Sequence, residues 1–147
     1  MTGTRVRLLS FLLVAALALV ACGKDSKSES DEAEEAKAGE PCPAKPAALA
    51  GDTGLPGQFP TVTGLTYTAT RPAGPSTIVT GFVEADLADT YSRWKAALDK
   101  APYSVTKSEK DPHDAEVNFS GEQTTGQVRL GEACKGRTAV QVTARPG

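Results

Sequence analysis

Histidine occurs once in the 147 residues, at position 113. A metal site built on two imidazoles is therefore excluded, and any Ser–His catalytic pair would have to use His113. No Gly-x-Ser-x-Gly elbow is present to present a nucleophilic serine. The chain also lacks a G-x-G-x-x-G fingerprint and a Walker-type loop, the two glycine-rich cradles for nucleotide phosphates. Cysteine occurs three times and never as Cys-x-x-Cys, the usual spacing of an active dithiol. Charge of one sign is not in excess, with 16 basic and 18 acidic residues for a net −2. Isoleucine and asparagine occur once each, as Ile78 and Asn118, and aromatic residues make up only 5%.

The charge that is present is divided along the chain. Residues 1–21 hold Arg5 and Arg7 and no acid. Residues 23–41 hold three lysines and seven acids, a net of −4, and residues 42–147 hold eleven of each sign. A neutral domain offers no basic surface for phosphate, so no nucleic-acid partner is expected.

Leu8 to Val20 is a thirteen-residue run with one polar member, Ser10. As a helix it would span about 20 Å, well short of the roughly 30 Å hydrocarbon core of a bilayer. A basic start, a short apolar run and small residues after it have the order of a secretory signal peptide. The run ends Leu19-Val20-Ala21-Cys22. This resembles the lipobox of bacterial lipoproteins, with a branched residue at −3 and a small residue at −1 before the cysteine. The resemblance covers about the first 23 residues. It implies a diacylglyceryl group, palmitate among its chains, on the Cys22 thiol and cleavage after Ala21, often with acylation of the new amine. It also implies attachment to the cell membrane on the extracytoplasmic side, since two or more acyl chains hold a protein stably. Residues 1–21 are thus expected to be a signal peptide.

Residues 22–41 read as the lipidated cysteine followed by a disordered acidic tether. Its apolar members are three alanines, too few to offset the entropy of ordering the chain. Fully extended, the nineteen residues after Cys22 reach at most about 65 Å. Lipidation at 22 leaves Cys42 and Cys134, an even pair in an oxidising compartment, and these are expected to form a disulfide. The bond would close a long loop and pin the Pro- and Gly-rich stretch from 41 to 64, which has little periodicity of its own.

Residues 42–147 are expected to form a single α+β domain. Leu65, Tyr67 and Ala69 alternate, Arg71 to Pro75 reads as a turn, and Thr77 to Val83 is β-branched and aromatic, which together predict a hairpin. Leu87, Tyr91, Trp94 and Leu98 then fall on one helical stripe, with Asp86 as candidate N-cap and Pro102 as the stop. Four runs of period two follow: Tyr103 to Lys107, Ala115 to Ser120, Gln127 to Leu130 and Thr138 to Arg145. The predicted order is β-β-α-β-β-β-β, a small antiparallel sheet with one amphipathic helix on its apolar face. Gly121, Gly126, Gly131 and Gly136 are read as hairpin ends. Every aromatic residue after the signal lies in or beside a periodic run, except Phe59.

Three placements for function follow. Asp111, His113, Asp114 and Glu116 have metal-ligand residue types, but with one histidine and a turn-forming Pro112 they are expected to be a solvated turn. No cofactor, metal or catalytic residue is assigned. The sheet's other face would carry Glu116, Asn118, Gln127, Arg129, Gln141 and Arg145, either simply solvated or open to a partner, and the Pro/Gly-rich region from Ala50 to Gly64 could instead be a docking loop. Asn118-Phe119-Ser120 matches a glycosylation sequon but is read as strand. The chain is therefore expected to be a non-enzymatic binding or accessory module of the cell envelope, for a protein or small-ligand partner. The alternatives are an extracytoplasmic metal-binding protein or hydrolase centred on His113, or a small-ligand sensor. A sensor would show an empty pocket lined by Tyr91, Trp94 and Phe119.

Overall fold

A computed structural model describes residues 41–147. The expected signal peptide, Cys22 and all but the last residue of the expected tether lie outside the described residues. The elements are β1 (Leu65–Ala73), β2 (Ser76–Val83), α1 (Leu87–Lys100), β3 (Ser104–Lys110), β4 (Asp114–Gly121), β5 (Thr124–Cys134) and β6 (Arg137–Pro146). The order is the predicted one, in the α+β class. All six strands join one antiparallel sheet in the spatial order β1-β2-β6-β5-β4-β3. β3 to β6 run as a meander, and β6 then lies beside β2, so the first hairpin is stitched to the last strand.

Period-two alternation puts one set of side chains inside. Val79, Val142, Val128 and Val117 stand side by side across four strands and are fully buried. Burying a valine from water stabilises by roughly 1.5–3 kcal/mol, so this row alone is a large part of the sheet's cohesion. Ala115, Phe119, Leu130, Val140 and Ala144 extend it. The helix lies over β3 to β6, with Leu87, Trp94 and Leu98 buried and Tyr91 half-buried. Thr90 joins this stripe, fully buried. Asp86 occupies the N-cap position but its side chain makes no capping bond; its carbonyl accepts from the Thr90 amide at 2.9 Å. Helix geometry ends at Ala101, as a following proline requires.

The strands depart from simple alternation at three bulges. Thr68 is the extra residue in β1, Thr106 in β3 and Ala133 in β5. A bulge turns every later side chain to the other face. Ala69 therefore pairs with Thr80 on the far side from Tyr67, and Lys107 pairs with Asn118 on the polar face instead of following Val105 inward. β1 and β3 are the two edge strands, where bulges interrupt the backbone ladder and discourage pairing with another chain. The expectation for the glycines is also corrected. Gly126 and Gly131 lie inside β5, which is eleven residues long. A Cβ at Gly126 would sit 2.1 Å from the Thr143 carbonyl oxygen and 2.5 Å from Phe119 Cζ, so close packing keeps it bare. The β4–β5 turn is the two-residue pair Glu122-Gln123, at φ 47° and 57°, the geometry that matches strand twist in tight hairpins.

The helix leaves β1 and β2 uncovered on the apolar side, and the segment before β1 covers them. It starts at a disulfide between Cys42 and Cys134, with Cα atoms 5.1 Å apart. Arg137 Nη1 donates to the Pro43 carbonyl at 2.9 Å, and Leu49 N donates to the Tyr67 carbonyl on the β1 edge at 2.7 Å. Thr70 Oγ1 then donates to the Thr53 carbonyl at 2.7 Å. Beyond that point Leu55, Phe59 and Val62 pack into the core. Phe59 lies 5.2 Å from the Phe119 ring, 5.6 Å from Tyr103 and 6.1 Å from Trp94, centroid to centroid. The aromatic residue without a periodic run is thus a core residue. With both thiols in the bond, the intact mass of the mature protein is expected to be two hydrogens below the reduced value, and Cys42 and Cys134 are expected to react with thiol reagents only after a reductant is added. Two freely titrating thiols in the native, air-exposed protein would contradict it.

Candidate binding surface

The face of the sheet away from the helix carries all six polar residues expected there. Glu116 pairs with Arg129 and Arg129 with Gln141; Asn118 pairs with Gln127, and Thr125 with Arg145. Glu116 is the hub. One of its oxygens lies 3.3 Å from Arg129 Nε and the other accepts from Gln127 Nε2 at 3.0 Å. The same Gln127 nitrogen reaches Asn118 Oδ1 at 3.4 Å, and Arg145 Nε donates to Thr125 Oγ1 at 3.2 Å. Glu109 stands directly opposite Glu116, a like-charge pair relieved by Lys107, whose Nζ lies 3.1 Å from Glu109. That hydrogen bond and carboxylate push the Lys107 pKa above the ordinary lysine value. Cross-strand pairs of this kind at a protein surface contribute little to stability each. They fix where hydrogen-bonding groups stand on a flat surface.

Below this row the face is hollowed into a shallow groove of about 490 Å³ whose lining includes Asn118, Thr125, Gln127, Thr143 and Arg145. Its lining mixes hydroxyls, amides and one guanidinium with apolar surface that includes Phe119. At the opposite end the face is closed. Phe82 points to this side but the Arg137 guanidinium lies 5.2 Å over its ring, and Arg137 is held in turn by Glu84 at 2.8 Å. Lys45 adds a second cation 3.6 Å from Glu84.

The turn around His113 is not assembled as a ligand set. Asp111 and Asp114 close the turn through their backbones, at 2.8 Å, and Glu116 is committed to the sheet face. His113 Nδ1 instead meets Glu132 Oε2 at 3.0 Å, with the histidine side chain 68% exposed. Among the described residues no group of three His, Cys, Asp or Glu side chains is placed to hold a metal ion. Glu132 was missed by sequence reasoning because only the β4–β5 register, which sets Asp114 opposite Gly131, brings it there.

The space between helix and sheet is filled. Trp94 and Phe119 are buried against Phe59, and Tyr91 faces outward enough for Lys95 Nζ to lie 5.5 Å from its ring. The empty pocket expected of a sensor is occupied by a side chain of the same molecule. Four polar atoms in this layer are nevertheless buried with no hydrogen-bond partner among the described residues: Tyr67 Oη, Thr90 Oγ1, Trp94 Nε1 and Tyr103 Oη. Each such group costs about 1–3 kcal/mol. Burial pushes the Tyr67 phenol up to about 12, and burial with the nearby Glu122 charge raises that of Tyr103.

No family model matches the chain, and searches of curated proteins and of solved structures give no match.

A resident cation would stabilise the fold by about 2.7 kcal/mol at a hundredfold excess over its dissociation constant. In a domain this size, 1 kcal/mol moves the melting temperature by roughly 4–8 °C. EDTA or millimolar calcium, zinc or manganese is expected to leave the melting temperature unchanged to within about a degree, and His113→Ala to cost less than about 0.5 kcal/mol. A shift of several degrees with one metal, abolished by His113→Ala, would establish a metal site instead.

Proposed function

We propose that this chain is a lipid-anchored extracytoplasmic module, held to the membrane through Cys22, which binds an envelope partner without catalysing a reaction. The observation that carries this reading is the Cys42–Cys134 bond. It joins the two cysteines that lipidation at 22 leaves over, and structural disulfides belong to oxidising compartments. The lipobox and the bond were read from separate parts of the chain, and both suit export.

The binding surface in this reading is the polar sheet face. It presents paired amides and hydroxyls at fixed spacing beside the shallow groove. Its partner is therefore a polar surface recognised by hydrogen bonds and by Arg129 and Arg145. A catalytic role would require a nucleophile or acid–base pair converging on one point. The geometry offers His113, itself exposed, only the half-buried Glu132.

The reading is tested in cells with a photo-crosslinking residue at Gln127 or Gln141, and at Ser92 on the exposed helix side as control. The same partner is expected from both sheet positions and not from Ser92. Cys22→Ala is expected to abolish palmitate labelling and membrane pelleting. Membrane retention and labelling of that variant would defeat the anchor, and equal crosslinking from Ser92 would defeat the surface.

A further inference from the structure

We infer that the place occupied by Phe59 is a ligand site that the chain closes with its own ring, and that the ligand is a small planar aromatic compound bearing hydrogen-bond acceptors. This goes beyond the sheet-face reading and does not depend on it. Three observations converge on the place.

The first is how Phe59 is delivered. It sits on a segment flanked by Gly54 and Gly64, both in the left-handed region at φ 74° and 83°. Among the described residues, the segment's hydrogen-bonded ties to the body fall at its ends, from Thr70 Oγ1 to the Thr53 carbonyl and from Arg93 Nη1 to the Thr63 carbonyl. Between them, Leu55 N bonds to Thr53 Oγ1 and Phe59 N to the Pro56 carbonyl, both local. Side-chain packing is what holds the middle down, and a competing ring can replace it without breaking a strand or the helix.

The second is the shape of the place. Trp94, Tyr103 and Phe119 meet the Phe59 ring in tilted or edge-on contacts, at separations where aromatic pairs attract. Tyr103 and Phe119 also meet each other edge-on at 5.5 Å. A flat ring fits this arrangement better than a branched aliphatic group.

The third decides the ligand's chemistry. Trp94 Nε1 and Tyr103 Oη are buried and unpartnered, and they belong to two of the three rings around Phe59. An indole N–H can only donate. Phe59 supplies hydrocarbon and satisfies neither. Thr90 Oγ1, also unpartnered, lies one helical turn before Trp94. A ring carrying carbonyl or ether oxygens would take over the stacking of Phe59 and accept from these donors.

The test uses Trp94, the only tryptophan, as reporter. The full, oxidised chain in a mild non-ionic detergent is titrated with 1,4-naphthoquinone, which has two carbonyl acceptors on a flat frame. Saturable quenching of Trp94 is expected, against linear quenching of N-acetyltryptophanamide in the same detergent. Tyr103→Phe, which removes an unpartnered hydroxyl and should fold, is expected to weaken binding about tenfold. Phe59→Leu is expected to tighten it several-fold by removing the competing ring. On binding, amides 55–62 should lose hydrogen-exchange protection while the strands keep theirs. Linear quenching, saturable quenching indifferent to Tyr103→Phe, or exchange changes on the polar sheet face in place of 55–62 would each overturn the inference.

Discussion

Cys42 and Cys134 lie 92 residues apart in sequence, and their bond fixes the start of a segment that has no helix or strand of its own. In the chain-entropy description, closing a loop of that length stabilises by about 4–5 kcal/mol, an upper figure. The larger consequence is where the segment is aimed. One fourteen-residue helix covers β3 to β6, and without a second cover the apolar side of β1 and β2 would face water. The disulfide, the Arg137–Pro43 bond and the Leu49–Tyr67 bond steer the chain to the β1 edge, from which Leu55, Phe59 and Val62 complete the core.

The two faces of the sheet then have different work. The apolar face is closed twice, by the helix and by the segment carrying Phe59, and beneath these covers Trp94 Nε1 and Tyr103 Oη have no partners among the described residues. Among the described residues nothing covers the central rows of the other face, where Glu116 is bonded to Gln127 and Arg129. A small domain that spends its disulfide on covering one face and leaves the other bare is suited to display that surface.

Much of this was legible in the sequence, for reasons that can be named. Period-two runs such as Ala115-Val117-Phe119 and the Leu87-Trp94-Leu98 stripe report directly which side of an element is dry, so element order, fold class and the two faces of the central strands were readable. The Cys42–Cys134 pair followed from counting. What could not be read depends on contacts distant in sequence. Thr68, Thr106 and Ala133 look like ordinary strand residues, and only their partners make them bulges. Gly126 resembles a turn glycine until Phe119 and the Thr143 carbonyl are placed beside it. Phe59 sits in a stretch with no period, so nothing local marked it as core. His113 met Glu132 through a register fixed by the Glu122-Gln123 turn, whose residues lack the usual glycine signature.

The dependence of the core on the Cys42–Cys134 bond can be measured directly by comparing the wild type with the Cys42→Ala/Cys134→Ala double variant. Removing a native disulfide from a small exported domain typically costs 2–5 kcal/mol, which corresponds to a fall of at least about 8 °C in melting temperature. The variant is also expected to lose hydrogen-exchange protection first over residues 49–62, with Trp94 emission moving to the red, at temperatures where the strands are still protected. An unchanged melting temperature with Trp94 still buried and 49–62 still protected would show that the segment closes the core without the bond, and would contradict the account.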